Sequence, residues 1–174
     1  MILLYIETER LIISRLRPSM AMRIHELSLD EDTRRFVPDE VFETEAAAGE
    51  TLDFLCACYD TGNGPWVYAV SLKEGELIGY VQAVPLEEGN WEIGYHIGKD
   101  YTKKGYAAEA VQAFLPEMMK KLQIEEMKGI CLSENKASVR VLEKCGFEKQ
   151  FEGPGIYQGK RKNICIFRFA QPLP

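Results

Sequence analysis

Apolar and polar positions alternate from Glu7 to Leu16, through Thr8-Glu9-Arg10-Leu11-Ile12-Ile13-Ser14-Arg15, which predicts a first strand ending before Pro18. From Met20 to about Leu29, and again from Ala46 to about Tyr59, apolar residues recur at helical intervals, so two helices are expected there. The connection between them, Asp30 to Glu45, is acidic and reads as a surface loop. Asn63-Gly64-Pro65 is a turn signal, and Trp66–Leu72, Leu77–Val84 and Trp91–Ile97 then read as strands. Lys73-Glu74-Gly75-Glu76 and Glu87-Glu88-Gly89-Asn90 separate them, and such spacing predicts an antiparallel meander.

The period then changes. Ala107, Ala108, Val111, Phe114, Leu115, Met118, Met119 and Leu122 trace one face of a helix from about Gly105 to Gln123, with a kink expected at Pro116. A strand follows at Met127–Leu132, then a helix opened by Ser133 or Asn135, with Val139, Leu142 and Cys145 inward and Gly146 as its stop. Two closing strands, Phe147–Glu152 and Asn163–Ala170, are joined by a connection at 153–159. The order β-α-α-β-β-β-α-β-α-β-β predicts a mixed α/β (α+β) fold. Its central mixed sheet is largely antiparallel, helices cover both faces in three layers, and residues 1–174 form one domain.

Composition narrows the function. The chain is 46% hydrophobic and 28% charged, with 8 Tyr, 8 Phe and 2 Trp, enough apolar surface for a packed core. A net charge of -6 argues against a nucleic-acid binder, which usually presents a basic face. The amino-terminal run Met1–Ile6 is too short, and lacks the basic flank, for a signal peptide; no span suits a membrane. The five cysteines, Cys56, Cys58, Cys131, Cys145 and Cys165, show neither a C-x-x-C pair nor zinc-ligand spacing, so a reduced, cytoplasmic protein without metal is expected. Cys131 and Cys165 lie in apolar runs and read as small buried hydrophobes.

The richest chemical signal lies where the strand ending at Ile97 runs through Gly98-Lys99-Asp100-Tyr101-Thr102-Lys103-Lys104-Gly105 into a helix beginning Tyr106-Ala107-Ala108. Free amides of a first helical turn favour an anion, and a glycine there lets a phosphate approach the backbone. An ordinary helix start with solvated Lys103 and Lys104 is the alternative reading. No G-x-x-x-x-G-K-S/T run exists, and Gly153-Pro154-Gly155 falls in the late hairpin.

Thr102-Lys103-Lys104-Gly105-Tyr106-Ala107 resembles the pyrophosphate motif of the Gcn5-related N-acetyltransferases (GNAT), in which Gln or Arg is followed three residues later by Gly and five later by Gly or Ala; Thr102 departs at the first position. Asn135-Lys136-Ala137-Ser138-Val139-Arg140-Val141-Leu142-Glu143-Lys144-Cys145-Gly146-Phe147 is similar to a second, more specific hallmark. Glu7-Thr8-Glu9-Arg10-Leu11 and Glu92-Ile93-Gly94-Tyr95-His96-Ile97 resemble the ribosomal-protein alanine/serine N-acetyltransferase branch. The resemblance implies acetyl-CoA as co-substrate, its diphosphate on the backbone of Thr102 to Ala107, with Asn135, Ser138 and Lys144 beside the rest of it. It also implies an oxyanion donor among the amides of Tyr95, His96 and Ile97. Where many relatives outside this branch carry a tyrosine acid, this chain has Leu142. Asn135 caps its helix or faces the acetyl centre; Ser138 donates to the sulfur or satisfies a helix carbonyl.

Acetyl transfer to nitrogen needs a neutral amine, and free amines have pKa ~8 to ~10.4, so a proton acceptor is required. Glu92 is the preferred general base, with a solvated strand residue as the alternative. His96 is its rival, or a packed structural imidazole. Alternation puts Glu92, Gly94 and His96 on one strand face and Ile93, Tyr95 and Ile97 on the other. The acidic residues Asp30, Glu31, Asp32, Asp39, Glu40, Glu43 and Glu45 either are solvated or border an acceptor site, which Trp66, Trp91 and Tyr157 could also line. The expected function is direct acetyl transfer in a ternary complex, with Glu92, Asn135 and Ser138 as catalytic candidates. The acceptor is a protein amino terminus or a small amine, and the chain a monomer or homodimer. A non-catalytic acetyl-CoA-binding module is the alternative.

Overall fold

The computed structural model describes residues 4–174, so the first three positions of the apolar run Met1–Ile6 lie outside the described residues. The chain opens with β1 (Ile6–Glu7) and β2 (Leu11–Arg15), followed by α1 (Ala21–Leu27), α2 (Glu31–Phe36) and α3 (Glu45–Thr61). The meander is β3 (Trp66–Leu72), β4 (Leu77–Pro85) and β5 (Trp91–Ile97). Next come α4 (Tyr106–Leu122), β6 (Glu126–Leu132), α5 (Lys136–Lys144), β7 (Glu148–Tyr157) and β8 (Lys160–Ala170). The strands form one sheet in the order β1-β2-β3-β4-β5-β6-β8-β7. Every pairing is antiparallel except β5 with β6, whose parallel register is confined to Glu92 opposite Lys128.

The sheet separates two apolar layers, because alternate side chains along each strand point to opposite faces. On one face Trp66, Tyr68, Val70, Val81 and Ile93 pack against Ala108, Val111, Phe114, Leu115 and Met118 of α4 and Leu142 of α5. On the other, Val67, Ala69, Leu77 and Tyr80 pack against Ala21, Ile24 and Leu27 of α1 and Ala48 and Leu52 of α3. With both faces covered, β3 is buried from Trp66 to Ser71. The protein thus has the three-layer, largely antiparallel architecture that the sequence pattern predicts.

Some local features differ from the sequence reading. The acidic segment from Asp30 to Glu45 is no simple loop: Asp30 caps α2 by accepting from the Thr33 amide, and a 3-10 turn at Pro38–Glu40 folds Glu40 against the sheet. The closing strands run on into a tight hairpin turning at Gln158-Gly159, the latter at φ +74°. Helix α4 continues through Pro116, which lies on its exposed side. The stop of α5 matches expectation: Gly146 adopts φ +86° and its amide donates to Glu143, while the Phe147 amide donates to the Leu142 carbonyl. Among the described residues no helix is long and apolar enough to cross a membrane.

Between strands β4 and β5, Gly79 leaves no room for a side chain, since a Cβ there would lie 1.9 Å from the His96 carbonyl oxygen. Backbone cannot yield there as a flexible side chain does. Gly79→Ala is expected to destabilise the protein by on the order of 2–3 kcal/mol, lowering Tm by roughly 5–10 °C. Thermal unfolding checks it, and an unchanged Tm refutes the close packing.

Candidate active site

Helix α4 begins at Gly105, whose φ of +82° leaves the helix start without a capping side chain. The Tyr106, Ala107 and Ala108 amides have no backbone carbonyl to bond, and so remain available to an anion. A Cβ on Gly105 would come within 3.4 Å of an Arg10 guanidinium nitrogen and 3.8 Å of the Lys144 Nζ. Two cations therefore flank the bare backbone, with Lys103 and Lys104 exposed just before it. Thr102 donates its hydroxyl to the Lys99 carbonyl and closes the preceding turn.

Sequence reasoning gave Arg10 no role, although it stands in the quoted Glu7–Leu11 motif. Its Nε donates to Glu109 at 2.6 Å, its backbone amide donates to the same carboxylate, and Nη1 donates to the Lys104 carbonyl at 2.8 Å. The guanidinium also stacks 4.4 Å from the Tyr106 ring centroid. Burial alone would raise the Glu109 pKa, but hydrogen bonds from Thr8 and Arg10 hold it below its ordinary value. The amino-terminal segment thus fixes the shape of the turn before α4.

Past Glu92 and Lys128 no register joins β5 to β6, and the sheet opens. The Gly98 amide donates to Ile78 on β4, so alternation turns the Tyr95 and Ile97 amides away from β4, into the opening. No register shift interrupts β5 against β4, so the faces separate as alternation predicts. Tyr95 belongs to the α4 and α5 side: its hydroxyl lies 2.7 Å from Ser138 Oγ and 3.0 Å from the Ser138 carbonyl. Asn135 accepts from the Ser138 amide through Oδ1 at 3.2 Å, which is a helix cap. Leu142 is fully packed, a Cβ on Gly129 being 2.6 Å from its methyl. A tyrosine hydroxyl therefore reaches the start of α5 from strand β5.

On the opposite face, His96 is tied down, with Nε2 2.9 Å from the Leu27 carbonyl and its ring 5.4 Å from that of Tyr80. Glu92 shares this face and has no hydrogen bond or ion pair among the described residues. Burial, with the nearby Glu40 and Asp39 charges adding to it, pushes the Glu92 carboxyl up to about 7. Glu40 accepts from the Tyr80 hydroxyl at 2.9 Å and from Gln82 Nε2 at 3.0 Å, yet burial still drives its pKa upward. Asp39 is raised by burial too. Tyr157, half-buried, lies within the field of these carboxylates, whereas Trp66 is a core residue and Trp91 packs at the core edge. Among the described residues no Lys or Arg pairs with Asp39, Glu40 or Glu92. Beside Glu40 a cavity of about 190 Å³ opens between α3 and the sheet.

A bare helix start on one side of a parted sheet and an unpaired carboxylate on the other define an acyl-transfer scaffold, and comparison with known proteins gives it a family. Residues 10–148 match the acetyltransferase (GNAT) domain model, and the chain belongs to that family of acetyltransferases. It is 28% identical over 149 residues to the N-acetyltransferase YnaD of Bacillus subtilis (strain 168), covering 84% of each chain. A GNAT-family acetyltransferase from Bacillus anthracis superposes with a TM-score of 0.83 at 26% identity, covering 96% of this chain and 98% of that one. The ribosomal L7/L12 alpha-N-protein acetyltransferase RimL, solved with coenzyme A, superposes at 0.82 with 16% identity, covering 96% and 98%.

The raised Glu92 pKa is also a stability statement. Folded, the group titrates at about 7; unfolded, at 4.5, so between those values the native state binds more protons and wild-type stability falls as pH rises. Glu92→Gln removes this linkage. Relative to wild type it is expected to gain on the order of 1–3 kcal/mol between pH 4.5 and pH 8, read by denaturant melts at both pH values. Equal changes for both proteins would place Glu92 in bulk solvent.

Proposed function

We propose that the chain moves an acetyl group from acetyl-CoA to a primary amine, by direct attack within a ternary complex. The observation that carries this reading is the opening between β5 and β6, with a free anion cradle on its α4 side and the high-pKa Glu92 on its α1 side. The acceptor is a small-molecule amine or a protein amino terminus; the L7/L12 acetyltransferase activity of RimL supports the second.

The residues at the cradle fit the diphosphate: three free amides, a glycine without Cβ, and Arg10 and Lys144 close by. Acetyl-CoA supplies the activated acyl carbon. The Tyr95 and Ile97 amides, directed into the opening, donate to the acyl oxygen. Glu92 takes the proton of the incoming ammonium, a transfer suited to a carboxylate with pKa about 7. Ser138 donates to the departing sulfur; when the Tyr95 hydroxyl donates to Ser138 Oγ, the serine hydrogen is left free for that bond. Direct transfer is favoured over an acetylated cysteine because burial pushes Cys131 and Cys145 up to about 11, leaving almost no thiolate near neutrality.

Acetyl-CoA is expected to raise Tm, and Gly105→Glu to abolish that rise, since its side chain and charge both oppose the diphosphate. The ligand-free melt of the variant reads any cost of a side chain at positive φ separately. A full ligand shift in Gly105→Glu would remove the phosphate site from α4.

For the chemistry, kcat/KM is expected to rise with pH through about 7 as Glu92 loses its proton, and Glu92→Gln to lose both that limb and roughly 10²–10⁴-fold of the rate. Steady-state pH profiles decide. An unaltered limb in the variant returns the proton transfer to another group.

A further inference from the structure

The cavity between α3 and the sheet is lined by both carboxylates and apolar side chains, and the two ask for different parts of one molecule. Asp39 and Glu40 supply the first; Leu52 and Leu55 of α3, with Phe42 and Val67, supply the second. At about 190 Å³ it exceeds the ~150 Å³ apolar cavity known to hold benzene. Val84, also in its wall, lies directly opposite Glu92 in the β4–β5 pairing, so the Cβ of the base stands about 5 Å from that of a cavity-lining residue on the same sheet face.

We infer that the acceptor is a primary amine with an apolar group of leucine to phenylalanine size beside it, the ammonium among Asp39, Glu40 and Glu92 and the apolar group inside this cavity. The inference rests on the reading that the amine meets Glu92. Charge selects the ammonium, because no Lys or Arg of the described residues neutralises the three carboxylates. Solvation selects the apolar group. A polyamine or amino sugar would have to leave its further polar groups without partners against Leu52, Leu55, Phe42 and Val67. Tyr80 and Gln82 each commit a donor to Glu40, so they hold the carboxylate in place at the cavity wall.

Amino-acid amides provide the test, carrying one α-amine beside a side chain of graded size. With acetyl-CoA and detection of released CoA, phenylalaninamide and leucinamide are expected to exceed glycinamide in kcat/KM by about tenfold to hundredfold, and spermidine to fall below both. Leu55→Trp, which fills the cavity from a half-buried position, should shrink the ratio to within about threefold, while the acetyl-CoA shift in Tm shows that the variant is folded. A ratio near one in wild type, a ratio that Leu55→Trp leaves intact, or a preference for spermidine overturns the inference. Binding of the same amides in the presence of CoA is measured by calorimetry alongside. Tighter binding of phenylalaninamide without turnover of any amine upholds the cavity assignment and refutes the catalytic reading instead. Equal or absent binding of the amides refutes the cavity assignment.

Discussion

Strands β5 and β6 run parallel, meet at Glu92 and Lys128, and then part. A sheet that splits in its middle gives up backbone hydrogen bonds it would otherwise make, and unpaired buried amides are costly. The rest of the structure is arranged around that gap. The Tyr95 and Ile97 amides face it, α4 starts beside it at Gly105, and α5 closes one side with Ser138 bonded to Tyr95. The antiparallel pairings β3 to β5 and β6 to β8 keep each half intact, and what holds the two halves together is the Glu92–Lys128 contact and the core they share with α4 and α5.

The second unusual feature is electrical. Glu40 lies half-buried with two neutral donors, Glu92 has no hydrogen-bond or ion-pair partner among the described residues, and Asp39 adds a third carboxylate nearby. Bringing like charges together in a poorly solvated place favours protonation, and the rise at Glu92 follows from burial first and its neighbours second. A fold optimised for stability alone would pair or solvate these groups. Their arrangement sets local consistency against global stability in the way that functional sites often do.

Much of this was legible in the chain itself. The 3.6-residue period revealed α4, and Asn135 with Gly146 marked both ends of the amphipathic α5. Period-two alternation correctly separated Glu92 and His96 from Tyr95. The features missed share a cause. Glu40 reads as one more acidic residue in a polar segment, because its partners Tyr80 and Gln82 stand some forty positions away on β4. Arg10 reads as a strand residue, since Glu109 and Lys104 are equally remote. The Tyr95 hydroxyl meets α5 only once β5 and β6 are in one sheet. Periodicity describes a segment's own shape; it carries nothing about a partner brought near by folding.

The clasp between Arg10 and Glu109 bridges 99 positions. A ribosome delivers the first strand long before α4, so for most of synthesis the Arg10 guanidinium has no counterpart, and the turn before α4 emerges without its lashing. Contacts of such sequence separation carry a large loop-closure cost and form late. The turn before α4 is therefore among the last parts of the molecule to take its shape, because its outer brace comes from the first strand and its inner anchor from the helix that follows.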